Sequence, residues 1–211
     1  MTSRVLPVRF FHRPAAEVAR DLLGAVVVSR LGDVMVSGRI IETEAYLGYE
    51  DPASHAYRGR RHTQNQGIYS RPGSWYVYRS YGMHWCANLV CAPEGLGAAV
   101  LLRALEPLEG LELMRGRRKV VGKGGRSDGQ LCNGPGKLCQ ALGIAKSLDG
   151  QRMPGSPVLL LRGHRPRATE IEVTPRIGIT KAVDWPLRFT IRKTKGGPEG
   201  PPVCPSDLRP S

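Results

Sequence analysis

Apolar positions along the chain come in many short runs separated by Gly, Pro and charged residues, with no internal repeat. Residues 14–23 place Val18 and Leu22 four apart, with Pro14 at a first-turn position and Gly24 past the end, which predicts a short amphipathic helix. An apolar run over 25–29, a turn at Leu31-Gly32-Asp33 and a second run over 34–46 predict a hairpin. Strands are expected over 72–79 and 84–91, joined by Tyr81-Gly82-Met83, where Gly82 tolerates the positive φ of a tight turn. A fully buried strand follows over 98–105. Helices are expected over 108–118, opened by Pro107 with Leu108, Leu111 and Met114 inward, and over 134–143 behind Gly134-Pro135-Gly136. The last strands are placed at 157–162, 170–173 and 187–191. Many short strands with few helices define an α+β class: a single compact domain, residues 1–192, with a curved, mostly antiparallel β-sheet flanked by helices and a protruding β-hairpin. Residues 193–211 carry Gly, Pro and charge with little to bury and read as a tail.

The run Arg39-Ile40-Ile41-Glu42-Thr43-Glu44-Ala45-Tyr46 organises the rest. Strict alternation puts Ile40, Glu42, Glu44 and Tyr46 on one side and Ile41, Thr43 and Ala45 on the other. Carboxylate and aromatic ring then share a surface. An edge strand with solvated glutamates is the plain account of such a run. The second aromatic run, Trp75-Tyr76-Val77-Tyr78 continuing to Tyr81, points instead to a pocket with a base and stacking walls. Arg103 interrupts the apolar strand and needs an acceptor, either a carboxylate such as Glu44 or a phosphate. Between 47 and 72 the periodicity fades into a long loop carrying Arg58, Arg60, Arg61 and Arg71, with a short helix expected over 51–57 and His55 within reach of the glutamate strand.

Charge narrows the partner. Lys and Arg outnumber Asp and Glu by 31 to 18, a net +13, which concentrates polyanions and makes nucleic acid the first partner to test. The segment with Arg115, Arg117, Arg118, Lys119, Lys123 and Arg126 reads as a flexible loop tracking a phosphate backbone. Exposed amides at the helix start near Gly134, with Lys137 beside them, can hold a phosphate. Tyr81 and Met83 at a hairpin tip are what a duplex-binding protein uses as a wedge between base steps. Five cysteines, odd in number and without a C-x-x-C pair, read as reduced intracellular thiols, and His84, Cys86 and Cys91 lack convincing zinc spacing. No stretch approaches the ~20 apolar residues of a membrane span. No metal, cofactor or membrane partner is expected.

These residues resemble the alkyladenine (3-methylpurine, or 3-methyladenine) DNA glycosylases of the mammalian type. The matching strings are Ile41-Glu42-Thr43-Glu44-Ala45-Tyr46-Leu47-Gly48, Glu50-Asp51 to His55, Pro72-Gly73 with Tyr76-Val77-Tyr78, Tyr81-Gly82-Met83, Asn88, the strand around Arg103 through Gly110, and Gly134-Pro135 with Lys137-Leu138-Cys139. The resemblance implies an intracellular, DNA-associated monomer. It would flip alkylated or deaminated purines (3-methyladenine, hypoxanthine, ethenoadenine class) out of double-stranded DNA and hydrolyse the N-glycosidic bond. By position, Glu44 resembles the general base, ionised and facing water. Arg103 resembles the residue that positions groups around that water. Tyr46, His55 and Tyr78 resemble pocket walls, Tyr81 the side chain left in the gap, and Asn88 the residue that disfavours the guanine amino group. Glu42 is expected to point away or to pair with a cation. No lysine falls in the matched pocket strings, so no Schiff base and no strand cleavage are expected. The residues at His84-Trp85 and over 115–128 depart from the family pattern. Two alternatives stay open: a non-catalytic binder of distorted nucleic acid, and a carbohydrate hydrolase using Glu42 with Glu44.

Overall fold

The computed structural model describes residues 4–32, 34–119 and 128–192. Its elements in chain order are α1 (Ala15–Asp21), β1 (Val26–Ser29), β2 (Val36–Tyr46), β3 (Trp75–Ser80), β4 (His84–Cys91), β5 (Ala98–Glu109), α2 (Leu111–Arg117), α3 (Pro135–Leu142), β6 (Val158–Leu161), β7 (Ile171–Thr174) and β8 (Arg188–Ile191). They form one α+β domain on a single antiparallel sheet in the order β3-β4-β5-β2-β1-β6, with β7 joined through β8. β2 is central. One edge pairs with β5, and the other is shared, with β1 along Val36 to Arg39 and β8 along Glu42 to Glu44. The edge-strand account of the glutamates is thereby corrected.

The sheet has one face for packing and one for chemistry. Trp75, Val77, Ala87, Leu89, Val100, Leu102 and Ala45 join the main core with Val18 and Ala19 of α1, Leu22 just past its end, and Leu138, Cys139 and Leu142 of α3. Thr43 faces the same way and donates its hydroxyl to the Ala19 carbonyl at 2.8 Å. Alternate residues Tyr76, Val90 and Ala99 lie on the opposite face, in a smaller cluster with Ala56, Ile68 and Tyr69 from the loop after β2. Period-two alternation therefore separates scaffold from site.

Alternation fails at one place. Ile40, expected beside Glu42 and Glu44, is fully buried in the main core with Ala45. The register steps from Ile40 opposite Leu105 to Glu42 opposite Ala104, and then to Thr43 opposite Leu102. Ile41 is thus one residue too many on β2 and Arg103 one too many on β5. Such bulges re-aim side chains and deepen the local twist.

Two boundaries also differ from expectation. β5 continues through Pro107, which pairs with Gly38, and the helix begins only at Leu111. Gly110 makes the break, because its φ of +74° is left-handed and a Cβ there would meet Val36 Cγ1 at 2.5 Å. Where a short helix is expected over 51–57, residues 52–56 form turns and a bend, and single 3-10 turns follow at Tyr57–Gly59 and Gln66–Tyr69. The expected 193–211 tail and residues 120–127 of the basic segment lie outside the described residues. Arg115, Arg117 and Arg118 are committed within the fold: Arg115 to Asp128 and Glu112, Arg117 to the carbonyls of Leu31 and Ala141, Arg118 to Gln140. No helix among the described residues is long and apolar enough to cross a membrane.

Candidate active site

Residues directly opposite each other on antiparallel strands point to the same face. Tyr76 faces Asn88, Asn88 faces Leu101, Leu101 faces Glu44, and Glu44 faces Arg188. One row across four pairings thus brings β3, β4, β5, β2 and β8 to a common surface. Tyr78, two residues on, faces Cys86 in the next row. Arg103 reaches Glu42 Oε1 through Nε at 3.0 Å and Glu44 Oε1 through Nη1 at 3.3 Å.

The two glutamates are held differently. Glu42 shares Oε1 between Arg103 and the Nε of Arg188, at 2.6 Å, so it pairs with cations as one of the two expected arrangements required. Glu44 has no solvent exposure. Its Oε2 accepts from the Tyr46 hydroxyl at 3.0 Å and its Oε1 from the Ile177 amide at 2.8 Å, and Arg103 forms an ion pair with Oε1. The expectation of a water-facing carboxylate is corrected: three donors enclose the group and replace its hydration. Burial pulls the Arg103 pKa down, but Glu44 and then Glu42 raise it further, and the guanidinium stays charged. Burial and then Glu44 push the Tyr46 hydroxyl well above its usual value, so it remains a donor.

Aromatic rings assemble beside Asn88. His55 meets Tyr78 edge-on at 4.4 Å between centroids, and Tyr76 stacks on Tyr78 at 5.4 Å and 27°. Burial raises the pKa of both tyrosines. The imidazole, desolvated against these rings and with His62 nearby, has its pKa lowered from 6.5. His55 Nδ1 and the Tyr76 hydroxyl oxygen share a hydrogen bond at 2.7 Å. Tyr46 stands apart from this stack, its ring covered by the Arg176 guanidinium at 4.6 Å. Asn88 is buried and donates Nδ2 to the Tyr76 carbonyl at 3.1 Å. Asn65, also buried, fixes the loop behind His55 by donating to the carbonyls of His55 and Arg60, each at 2.9 Å, and accepting from the His62 amide.

The expected duplex-contact residues flank this surface. Tyr81 is 87% exposed and Met83 68% at the β3–β4 tip. The start of α3 abuts the hairpin beside its tip, since a Cβ on Gly136 would meet the His84 side chain at 2.8 Å. Lys137 is exposed there and donates to Asn133 Oδ1 at 2.7 Å. Two open clefts, about 420 Å³ around Arg9, Arg71 and Arg152 and about 370 Å³ around Leu47, Ala92 and Leu96, are lined by none of Glu44, His55 and Tyr78.

Sequence reasoning gave no role to Tyr76, Asp51, Asn65, Arg176 or Arg188. Tyr76 had a signal, because it shares strand parity with Tyr78. Asp51 lies in the Glu50-Asp51 to His55 string, whereas Asn65, Arg176 and Arg188 come from segments that only the fold brings to the site.

The class defined by this fold is an α+β sheet protein whose polar face carries a guanidinium-bound carboxylate in one row with an asparagine and Tyr76, beside two stacked tyrosines met edge-on by His55. A family model, Methylpurine-DNA glycosylase (MPG), matches residues 9–195, and the chain belongs to that family. It is 47% identical over 197 residues to the DNA-3-methyladenine glycosylase of Homo sapiens, covering 89% of this chain and 65% of that protein. The Mus musculus DNA-3-methyladenine glycosylase is 47% identical over 195 residues, covering 87% and 58%. A relative from Methanoculleus marisnigri is 45% identical over 194 residues, covering 90% of this chain and 96% of its own length. The chain thus spans 58 to 65% of these two mammalian relatives.

Proposed function

We propose that the chain is a monofunctional DNA glycosylase of base excision repair, acting on alkylated or deaminated purines in duplex DNA. The observation that carries this reading is the Glu44 carboxylate, held by Arg103 in the same cross-strand row as Asn88 and Tyr76. Extruding a purine costs a few kcal/mol, least for weakly paired lesions, and Tyr81 with Met83 offsets part of that cost by filling the gap. A purine alkylated at N3 or N7 is cationic. An electron-rich ring face such as that of Tyr78 favours it by about 0.5–2 kcal/mol. Asn88 disfavours the guanine amino group by crowding, and Lys137 contacts a phosphate.

As the N-glycosidic bond breaks, its electron pair leaves with the purine and the sugar becomes oxocarbenium-like. Glu44 stabilises that charge and takes a proton from water while the water oxygen bonds to the sugar carbon. Oε2, which accepts from the Tyr46 hydroxyl, is the less engaged oxygen and the one that takes the proton. Glu42, bound by two guanidiniums, is not free to act as a second acid, which argues against a paired-carboxylate glycosidase. The enclosed Glu44 is the one feature that favours a non-catalytic binder. The test is release of free base from duplexes carrying hypoxanthine, ethenoadenine or 3-methyladenine. Release without strand cleavage is expected, and no release from any lesion overturns the reading.

A further inference from the structure

We infer that the buried Asp51–Arg176 pair is the positioning device for the proposed general base and the base pocket together; the inference rests on the reading of Glu44 given above. Arg176 has no exposed side-chain surface and binds Asp51 twice, Nη1 to Oδ2 at 2.5 Å and Nη2 to Oδ1 at 2.8 Å. From this junction three connections radiate. Nη1 also donates to the Ala45 carbonyl at 3.0 Å, and the guanidinium covers the Tyr46 ring at 4.6 Å, which fixes the residue that donates to Glu44 Oε2. The neighbouring Ile177 amide donates to Glu44 Oε1 at 2.8 Å. Asp51 accepts from the amides of Leu47 at 3.1 Å and Ala53 at 3.0 Å, anchoring the loop that carries His55.

Stability alone does not account for the pair. Desolvating two charges usually costs more than their attraction returns unless every polar atom is satisfied, and here Arg176 Nε is buried without a partner among the described residues. The arrangement carries that cost while setting two of the three bonds on Glu44, one through Tyr46 and one through Ile177. Asp51 and Arg176 touch no reacting atom, so they act through Glu44, Tyr46 and His55.

The experiment compares wild type, Glu44→Gln, Arg176→Lys and the neutral pair Asp51→Asn with Arg176→Gln. It measures single-turnover base release, affinity for lesion duplex, thermal midpoint and hydrogen exchange at the Ile177 amide. Arg176→Lys keeps the charge but not the fork or the ring contact. Expected is a fall in release of about tenfold to a hundredfold with duplex affinity little changed, and faster exchange at Ile177. The neutral pair keeps hydrogen-bonding groups without buried charge, so it is expected to recover thermal midpoint but not release. Recovery of release along with stability overturns the inference, as does Ile177 protection that is unchanged in both variants. Should Arg176→Lys fail to fold, the neutral pair alone decides. Absence of release in wild type instead defeats the glycosylase reading, and full release by Glu44→Gln defeats the general-base role of Glu44 on which this inference rests.

Discussion

Two glutamates two residues apart on one strand meet opposite fates. Glu42 lies between two arginines, whereas Glu44 has one charged partner and two neutral donors. Among the described residues Arg103 is the only group that contacts both, so Arg103→Met leaves the buried Glu44 without its charged partner. The expected cost is about 3–5 kcal/mol, read from urea unfolding, and a loss below 1 kcal/mol contradicts the geometry. At His55 the lowered pKa carries a sign. Below 6.5, the unfolded chain takes up a proton that the folded imidazole refuses, so stability falls as pH drops from 6.5 towards the folded value. NMR titration of the imidazole should give a midpoint under 6.5, and His55→Phe should flatten the stability slope in that window. Glu44 and Arg103 were legible because a carboxylate in an alternating strand and a cation in an apolar one both break a pattern. Asp51 and Arg176 break none, being 125 residues apart in turn-rich sequence.

Alternation located the β3–β4 hairpin and its exposed tip, since both strands keep period two without interruption. Where a bulge intervenes, the same rule misplaced Ile40, and no local residue type announced the extra position. Pro107 read as a helix start but lies in a strand, because the register shift between Ser37 and Gly38 leaves room for a residue that cannot donate. Gly110→Val is accordingly expected to lower the thermal midpoint, with a cost on the order of 1–3 kcal/mol from left-handed strain plus the clash with β2. The hairpin carries its own expectation. Tyr81→Ala should weaken binding to a lesion duplex far more than to a strand whose base is already extrahelical, by fluorescence anisotropy. Equal losses on both substrates contradict a wedge.

Over the whole molecule, both α1 and α3 pack on one side of the sheet, which leaves the other side to the site and to the loops that rim it. The net charge of +13 suits a polyanion against that open side. Affinity for lesion duplex should fall linearly in log–log form with added salt, and Lys137→Gln should reduce that slope by about one. A flat salt response contradicts phosphate contact. Fold class and the family strings were visible in the sequence because strand spacing and motif order are local. The closure around Glu44 was not, since it is made by a hydroxyl on β2, an amide at Ile177 and a guanidinium on β5.

The most direct measurement is single-turnover release of hypoxanthine from duplex DNA by Glu44→Gln, with duplex affinity measured in parallel. A general base predicts a rate lower by about 10² to 10⁴ with affinity retained. Release at the wild-type rate would contradict the account.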